Sequence, residues 1–177
     1  MRKLFILGFV AIVFLSCNNK KEESPKLNKA EIEKELWKAI EARFYSWRDN
    51  NYDAHMETYH PHWRRWSLTS KKLLKKEGFI NLWDYVKKNE EVIEMELEPI
   101  EFTIMGNGET AIVHFVSKET FKWIGPSEPS IYGEYMEKDS IYTGTLRWSD
   151  VLVKVNGKWQ CIGGHRDKSQ LKNSLSK

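Results

Sequence analysis

Cysteine is scarce in this chain: its 177 residues hold two, Cys17 and Cys161. If Cys17 is modified, Cys161 has no partner. The domain then lacks a disulfide, even in a compartment that allows one. Long apolar runs are lacking too. Residues 4–15 form an unbroken run of 12, against the ~20 that a spanning helix needs. Charge of one sign is in short supply: the formal net charge is +3, and falls to about +1 when Arg2 and Lys3 are set aside. That balance argues against a nucleic-acid binder. The basic cluster Lys71, Lys72, Lys75, Lys76 has acids nearby and reads as a solvated face. There is no Gly-rich phosphate loop, no Ser-His-Asp arrangement and no internal repeat.

What is present begins with a leader. Met1-Arg2-Lys3 is a positive n-region, residues 4–15 have the size of a signal-peptide h-region, and Ser16 precedes Cys17. Phe14-Leu15-Ser16-Cys17 resembles a bacterial lipoprotein box, with Phe14 the looser match. The resemblance implies cleavage after residue 16 and acylation of Cys17, hence a protein of the bacterial cell envelope held on a membrane, expected to be the outer one. Acyl chains contribute about 0.8 kcal/mol per buried CH₂, so two or three anchor stably. Residues 17–27 are polar and read as a tether of at most ~35 Å. Residues 28–169 are the domain, and 170–177 a polar tail.

Within the domain, Asn28 and Glu31 have capping-box spacing. Ile32, Leu36, Trp37, Ile40, Phe44 and Trp47 then recur on one helical stripe. Tyr52, His55, Met56 and Tyr59 predict a short second helix, limited by Pro61. Residues 62–68 read as a short strand or an extended link. Residues 70–77 are helical in composition, closed by Gly78. Phe79, Leu82, Trp83 and Val86 mark another helix. After Asn89 the period becomes two. Ile93, Met95 and Leu97 alternate, Pro99 interrupts, and Ile100, Phe102 and Ile104 resume out of phase, which predicts a bulged strand. Gly106-Asn107-Gly108 and Asn156-Gly157 are hairpin turns. They join a strand carrying Ala111, Val113, Phe115, Phe121 and Trp123, a strand over 143–155 and a last one over 158–165. Helices first and long antiparallel strands after make the fold class α+β.

The run Arg147-Trp148-Ser149-Asp150-Val151-Leu152-Val153-Lys154-Val155-Asn156-Gly157-Lys158-Trp159-Gln160-Cys161-Ile162, followed by His165, resembles the closing hairpin of SnoaL-like domains of the nuclear-transport-factor-2-like superfamily. The opening helix, with Trp47 before Asn51-Tyr52-Asp53-Ala54, and the Gly106 hairpin fit the same pattern over most of 28–169. The resemblance implies a cone: N-terminal helices packed in the concave face of a strongly curved, mostly antiparallel sheet, with an apolar cavity open at one end. It leaves function open, because the superfamily includes isomerases, dehydratases, cyclases and binding domains. The ketosteroid-isomerase tyrosine would align near Arg43, and Tyr45 lies on another helix face, so that chemistry is not carried over.

Candidate site residues follow from parity and chemistry. Arg147 and Ser149 share a strand face with Val151 and Val153. If that face is the pocket, Arg147 can hold an anion at its floor; the alternative is a structural Arg paired with an acid. Phe44, Trp47, Phe115 and Trp123 are candidate cavity walls. His165 and Asp150 are the weak catalytic candidates, with a hydrogen-bonding His and a paired Asp as the plainer readings. Cys161 reads as a small buried hydrophobe. His55, His60 and His62 lie near Asp53 but match no zinc spacing, so neither metal nor cofactor is expected. The sequence thus supports a pocket domain for a small apolar or amphipathic ligand or a partner, with an acid/base enzyme using His165, Asp150 or Arg147 as the alternative. A homodimer through the open sheet face is expected by analogy.

Overall fold

The computed structural model describes residues 28–66, 72–131, 133–167 and 172–173. The leader, Cys17, the tether and most of the tail lie outside the described residues. Among the described residues no helix is long and apolar enough to cross a membrane.

Helix α1 (Lys29–Arg48) starts where the Asn28 side chain accepts from Glu31 N. It buries Leu36, Ile40 and Phe44, the middle of the apolar stripe, and Arg43 with them. Helix α2 (Tyr52–Glu57) is capped by Asn51, whose Oδ1 accepts from Ala54 N at 3.1 Å. Strand β1 (Tyr59–Trp66) follows. Tyr59, expected on the second helix, opens this strand instead. Residues 73–78 depart further from expectation. Leu73–Lys75 is strand β2, paired antiparallel to β1, and Lys76–Gly78 is a single 3-10 turn. Pairing to a neighbouring strand here overrides the helical composition. Helix α3 (Phe79–Asn89) buries Phe79, Trp83 and Val86.

The long strands are β3 (Glu90–Met105), β4 (Thr110–Trp123), β7 (Ile141–Val155) and β8 (Lys158–Arg166). A small hairpin, β5 (Glu128–Pro129) with β6 (Tyr135–Met136), interrupts them, and β9 (Lys172–Asn173) pairs with β7. The sheet order is β2-β1-β8-β7-β4-β3, and among the described residues only the β1–β8 pairing is parallel. β3 carries two register shifts, between Val92 and Glu94 and between Pro99 and Glu101. Ile93 and Ile100 are the extra residues, and both face solvent at more than half exposure. The Pro99 slip was legible in the sequence; the Ile93 bulge was not, because no Pro marks it. Such bulges bend the strand and raise its twist, and the sheet curves around the helices.

The main core joins Leu36, Ile40 and Phe44 to Met95, Val113, Phe115, Trp148 and Leu152. A second cluster, Tyr59, Trp63, Phe79, Trp83 and Cys161, ties α3 to β1 and β8. Trp123 sits in a third cluster with Phe121, Met136 and Tyr142.

Candidate functional site

Between α1, α2, α3 and the inner sheet face lies a cavity of about 70 Å³. Phe44, Trp47, Phe79, Phe121 and Trp148 form its aromatic walls. Its polar lining comes from six elements: Arg43, His55, Arg65, Glu90, Glu119 and Arg166.

Arg43 and Asp150 form a buried ion pair that ties α1 to β7, at 4% and 3% exposure. Burial acts to lower the Arg43 pKa, but Asp150 foremost, with Cys161 and Tyr59, raises it overall. Asp150 is therefore a committed ion-pair partner. His55 is equally committed. Its Nδ1 donates to the Arg43 carbonyl at 2.8 Å, which leaves Nε2 to accept from the Tyr59 hydroxyl at 3.2 Å. Burial, despite that first bond, pushes the imidazole down to about 3. At neutral pH it is an uncharged structural group.

The acids on the opposite wall differ. Glu90 is 9% exposed, and its Oε1 has no hydrogen-bond partner. Burial first, and the neighbouring Glu119 second, push its carboxyl up to about 8. Glu119 is also raised, mainly by burial, although Arg166 and a hydrogen bond from Ser117 Oγ at 3.0 Å act the other way. Ser117 Oγ in turn accepts from Trp148 Nε1 at 2.9 Å. Arg65 lies over Trp148, 5.6 Å from its ring centroid, with Nε buried and unpartnered. Burial, then Arg166, lower its pKa to about 10. Arg166 is 5.4 Å from the same ring centroid.

The residues singled out from sequence are spread over three places. Phe44 and Trp47 line the cavity. Phe115 packs beneath it, stacked on Trp148 at 5.9 Å and edge-on to Phe44 at 5.3 Å. Trp123 does not line the cavity and belongs to the third cluster, with its indole N–H on the Pro126 carbonyl at 2.7 Å. Arg147 and Ser149 do share a face, but it is the outer one. Arg147 is exposed and pairs with Asp167 at 2.6 Å, and Ser149 bonds His114 at 2.8 Å. His165 is on that face too, 3.2 Å from Asp167. Arg147, Ser149 and His165 line a separate hollow on this outer face with His114 and Asp167, whereas the arginines of the inner cavity are Arg43, Arg65 and Arg166, because the helices cover the Trp148–Asp150–Leu152 face of β7. His60 is partly buried and His62 exposed, and no group suited to a metal ion occurs among the described residues. Cys161 is buried, and burial raises its thiol to about 12.

The sequence reading missed Arg65, Glu90, Glu119 and Arg166. Glu119 shared parity with Val113, Phe115, Ser117 and Phe121, so an acid on an apolar face was a usable signal. Arg43, three residues after Ile40 on the helix stripe, was another.

No protein-family model and no curated protein matches the sequence. Solved structures do. An NTF2-like protein from Cytophaga hutchinsonii superimposes with a TM-score of 0.55 at 13% identity, covering 80% of this chain and 99% of that one. A ketosteroid isomerase-like protein from Erwinia carotovora atroseptica gives 0.60 at 15%, covering 80% and 98%. The fold is nuclear-transport-factor-2-like. The association domain of CaMKII from C. elegans also shares this nuclear-transport-factor-2-like fold, with a TM-score of 0.56 at 16% identity, covering 79% of this chain and 97% of that one. Since one scaffold carries isomerase-like and association domains, function must be argued from the cavity.

Proposed function

We propose that this is a lipid-anchored envelope protein whose nuclear-transport-factor-2-like domain binds a small amphipathic molecule. The cavity carries the reading: aromatic walls on one side, and Arg65, Glu90, Glu119 and Arg166 on its polar side. A purely apolar ligand would desolvate those polar groups with no hydrogen bond in return, a cost of about 1–3 kcal/mol each. Native mass spectrometry of the detergent-extracted protein tests it. A stoichiometric small molecule, lost in Trp47→Ala, is the expected result, and an empty protein under all extraction conditions argues against it.

Anchoring rests on the leader and Cys17. Mass spectrometry of the mature N-terminus should find acyl chains on Cys17, and an intact Met1 terminus would refute it. A homodimer through the outer sheet face is part of the reading, supported by exposed Ile100 there and by the association-domain neighbour. Light scattering should return twice the protomer mass, and Ile100→Glu should return one.

One observation favours an acid/base enzyme as a second reading. Glu90, raised to about 8 beside Glu119, has the carboxyl pair's usual means of holding a proton at neutral pH. The acid/base role then moves from His165 and Asp150 to these two. Chemical turnover of the co-purified molecule by the wild type, and not by Glu90→Gln, is the result that would select this reading.

A further inference from the structure

We propose that the outer face of the β1–β2 edge is a membrane contact, a small patch that lays Trp66 and Leu73 on an anionic lipid surface with Arg64 and Lys75 among the headgroups. The inference rests on the anchored reading above and goes beyond it by saying which side of the domain meets the membrane.

Register sets the patch. Trp63 is buried and Arg65 lines the cavity, so the alternate positions of β1, His62, Arg64 and Trp66, face outward. In the antiparallel pairing Trp66 stands opposite Leu73, and Arg64 opposite Lys75. Residues directly opposite share a face. Leu74, opposite Arg65, packs inward on the second cluster, as that parity requires. The outer face thus carries an apolar pair beside a cationic pair. Trp66 is 58% and Leu73 44% exposed, and neither belongs to a core cluster. The other seven Trp are buried or partly buried.

Charge and size select a lipid surface over other occupants. β1 and β2 contain no acidic residue, so the patch carries cations alone. A second copy would set those cations against themselves, since a two-fold interface pairs a patch with its own image. Two apolar side chains also fall far short of the ~1,200–2,000 Å² that a stable protein interface buries. Anionic headgroups match the cations, and Trp prefers the headgroup level, where its ring is apolar and its N–H stays wet. Arg64 spends Nη1 on the Trp63 carbonyl at 2.6 Å, which leaves its other N–H groups for phosphate oxygens. The dimer contact proposed at Ile100 is on β3, at the opposite edge of the sheet, four strand spacings or roughly 19 Å away.

The anchor makes so small a patch sufficient. Glu35 of α1 accepts from Trp159 Nε1 at 3.1 Å near the start of β8, and β1 runs parallel to β8 toward Trp66 at the far end. The rise along helix and strand puts Asn28 roughly 30 Å from Trp66, within the tether's reach of at most ~35 Å. Held there, the patch meets the surface at a high effective concentration, where modest contacts suffice.

The test places the anchored protein in vesicles of chain-brominated phosphatidylcholine, alone or mixed with phosphatidylglycerol, and reads tryptophan quenching by the bromines. In the mixed vesicles the wild type should show a quenched component that Trp66→Ser lacks. Arg64→Gln combined with Lys75→Gln should lower the docked-to-free ratio about tenfold, as should phosphatidylcholine alone. Arg147→Gln, on the same face but off this edge, should leave it unchanged. Thermal midpoints confirm that each variant folds. Equal quenching in wild type and Trp66→Ser, or quenching indifferent to phosphatidylglycerol and to the double charge change, overturns the patch. A fall from dimer to protomer mass in Trp66→Ser, by light scattering in detergent, assigns the patch to a second copy and overturns it too. With acyl chains found on Cys17, an unquenched Trp66 overturns the patch and leaves the anchor standing; with none found, both fall.

Discussion

Among single residues, His55 and Glu90 couple stability to pH in opposite directions. The folded His55 titrates near 3 instead of its ordinary 6.5, so its contribution is present above 6.5 and is lost as pH falls toward 3. The folded Glu90 titrates near 8 instead of 4.5, so its contribution is present below 4.5 and is lost as pH rises toward 8. From these two groups stability is flattest between about 4.5 and 6.5 and declines on either side. Urea unfolding across pH should show this, and Glu90→Gln should remove the alkaline decline and let stability rise from 4.5 to 6.5, where Glu90 no longer offsets His55. A Glu90→Gln profile that still falls between 6.5 and 8 would assign that decline elsewhere. Asp150→Asn should cost about 3–5 kcal/mol, because it strands the Arg43 charge in the core. The double change Arg43→Met, Asp150→Leu should recover most of that, since well-packed apolar pairs often match a buried ion pair. Equal instability of the single and double variants would deny the ion pair this role.

At the scale of elements, period and turn chemistry account for what was legible. α1, α3 and the four long strands were readable because their own side chains repeat at 3.6 or 2. Asn156 and Gly157, at φ of 51° and 78°, form the tight turn between β7 and β8 that their identities announce. Residues 73–78 were misread because Lys and Leu suit a helix alone, whereas β1 offers a strand partner. Where β8 crosses β7, Gly164 lets the two backbones and the Arg43–Asp150 pair approach closely. A Cβ there would stand 2.8 Å from the Ser149 carbonyl and against the Asp150 carboxylate. Gly164→Ala is expected to cost about 1–3 kcal/mol by overpacking. Thermal unfolding checks it, with Gly78→Ala as the control, since a Cβ there meets nothing within 4 Å. An unchanged midpoint in Gly164→Ala would show that the strands shift to make room.

On the scale of the whole molecule, the proposed function divides between a short sequence segment and a cavity far from it in the chain. In that reading the leader sets where the domain works. Cys17→Ala should move the protein from the membrane fraction to the soluble one while its unfolding profile stays the same, because the core clusters are built from residues of the domain itself. Retention of Cys17→Ala on membranes would point to another attachment. The polar lining of the cavity proposed to bind the ligand comes from six elements, and Arg43 and Arg166 lie 123 residues apart in the chain.

The sequence by itself determined the α+β order, most element boundaries, the Pro99 bulge, the turns, and which residues of a strand share a face. Those are local matters, settled by backbone geometry and side-chain period. It did not determine which face of β7 the helices cover. That choice put Asp150 inside and Arg147 outside, and it brought Arg65, Glu90, Glu119 and Arg166 together on one cavity. Only tertiary packing decides it, because alternation relates neighbours along a strand to each other and carries no reference to what lies above or below the sheet.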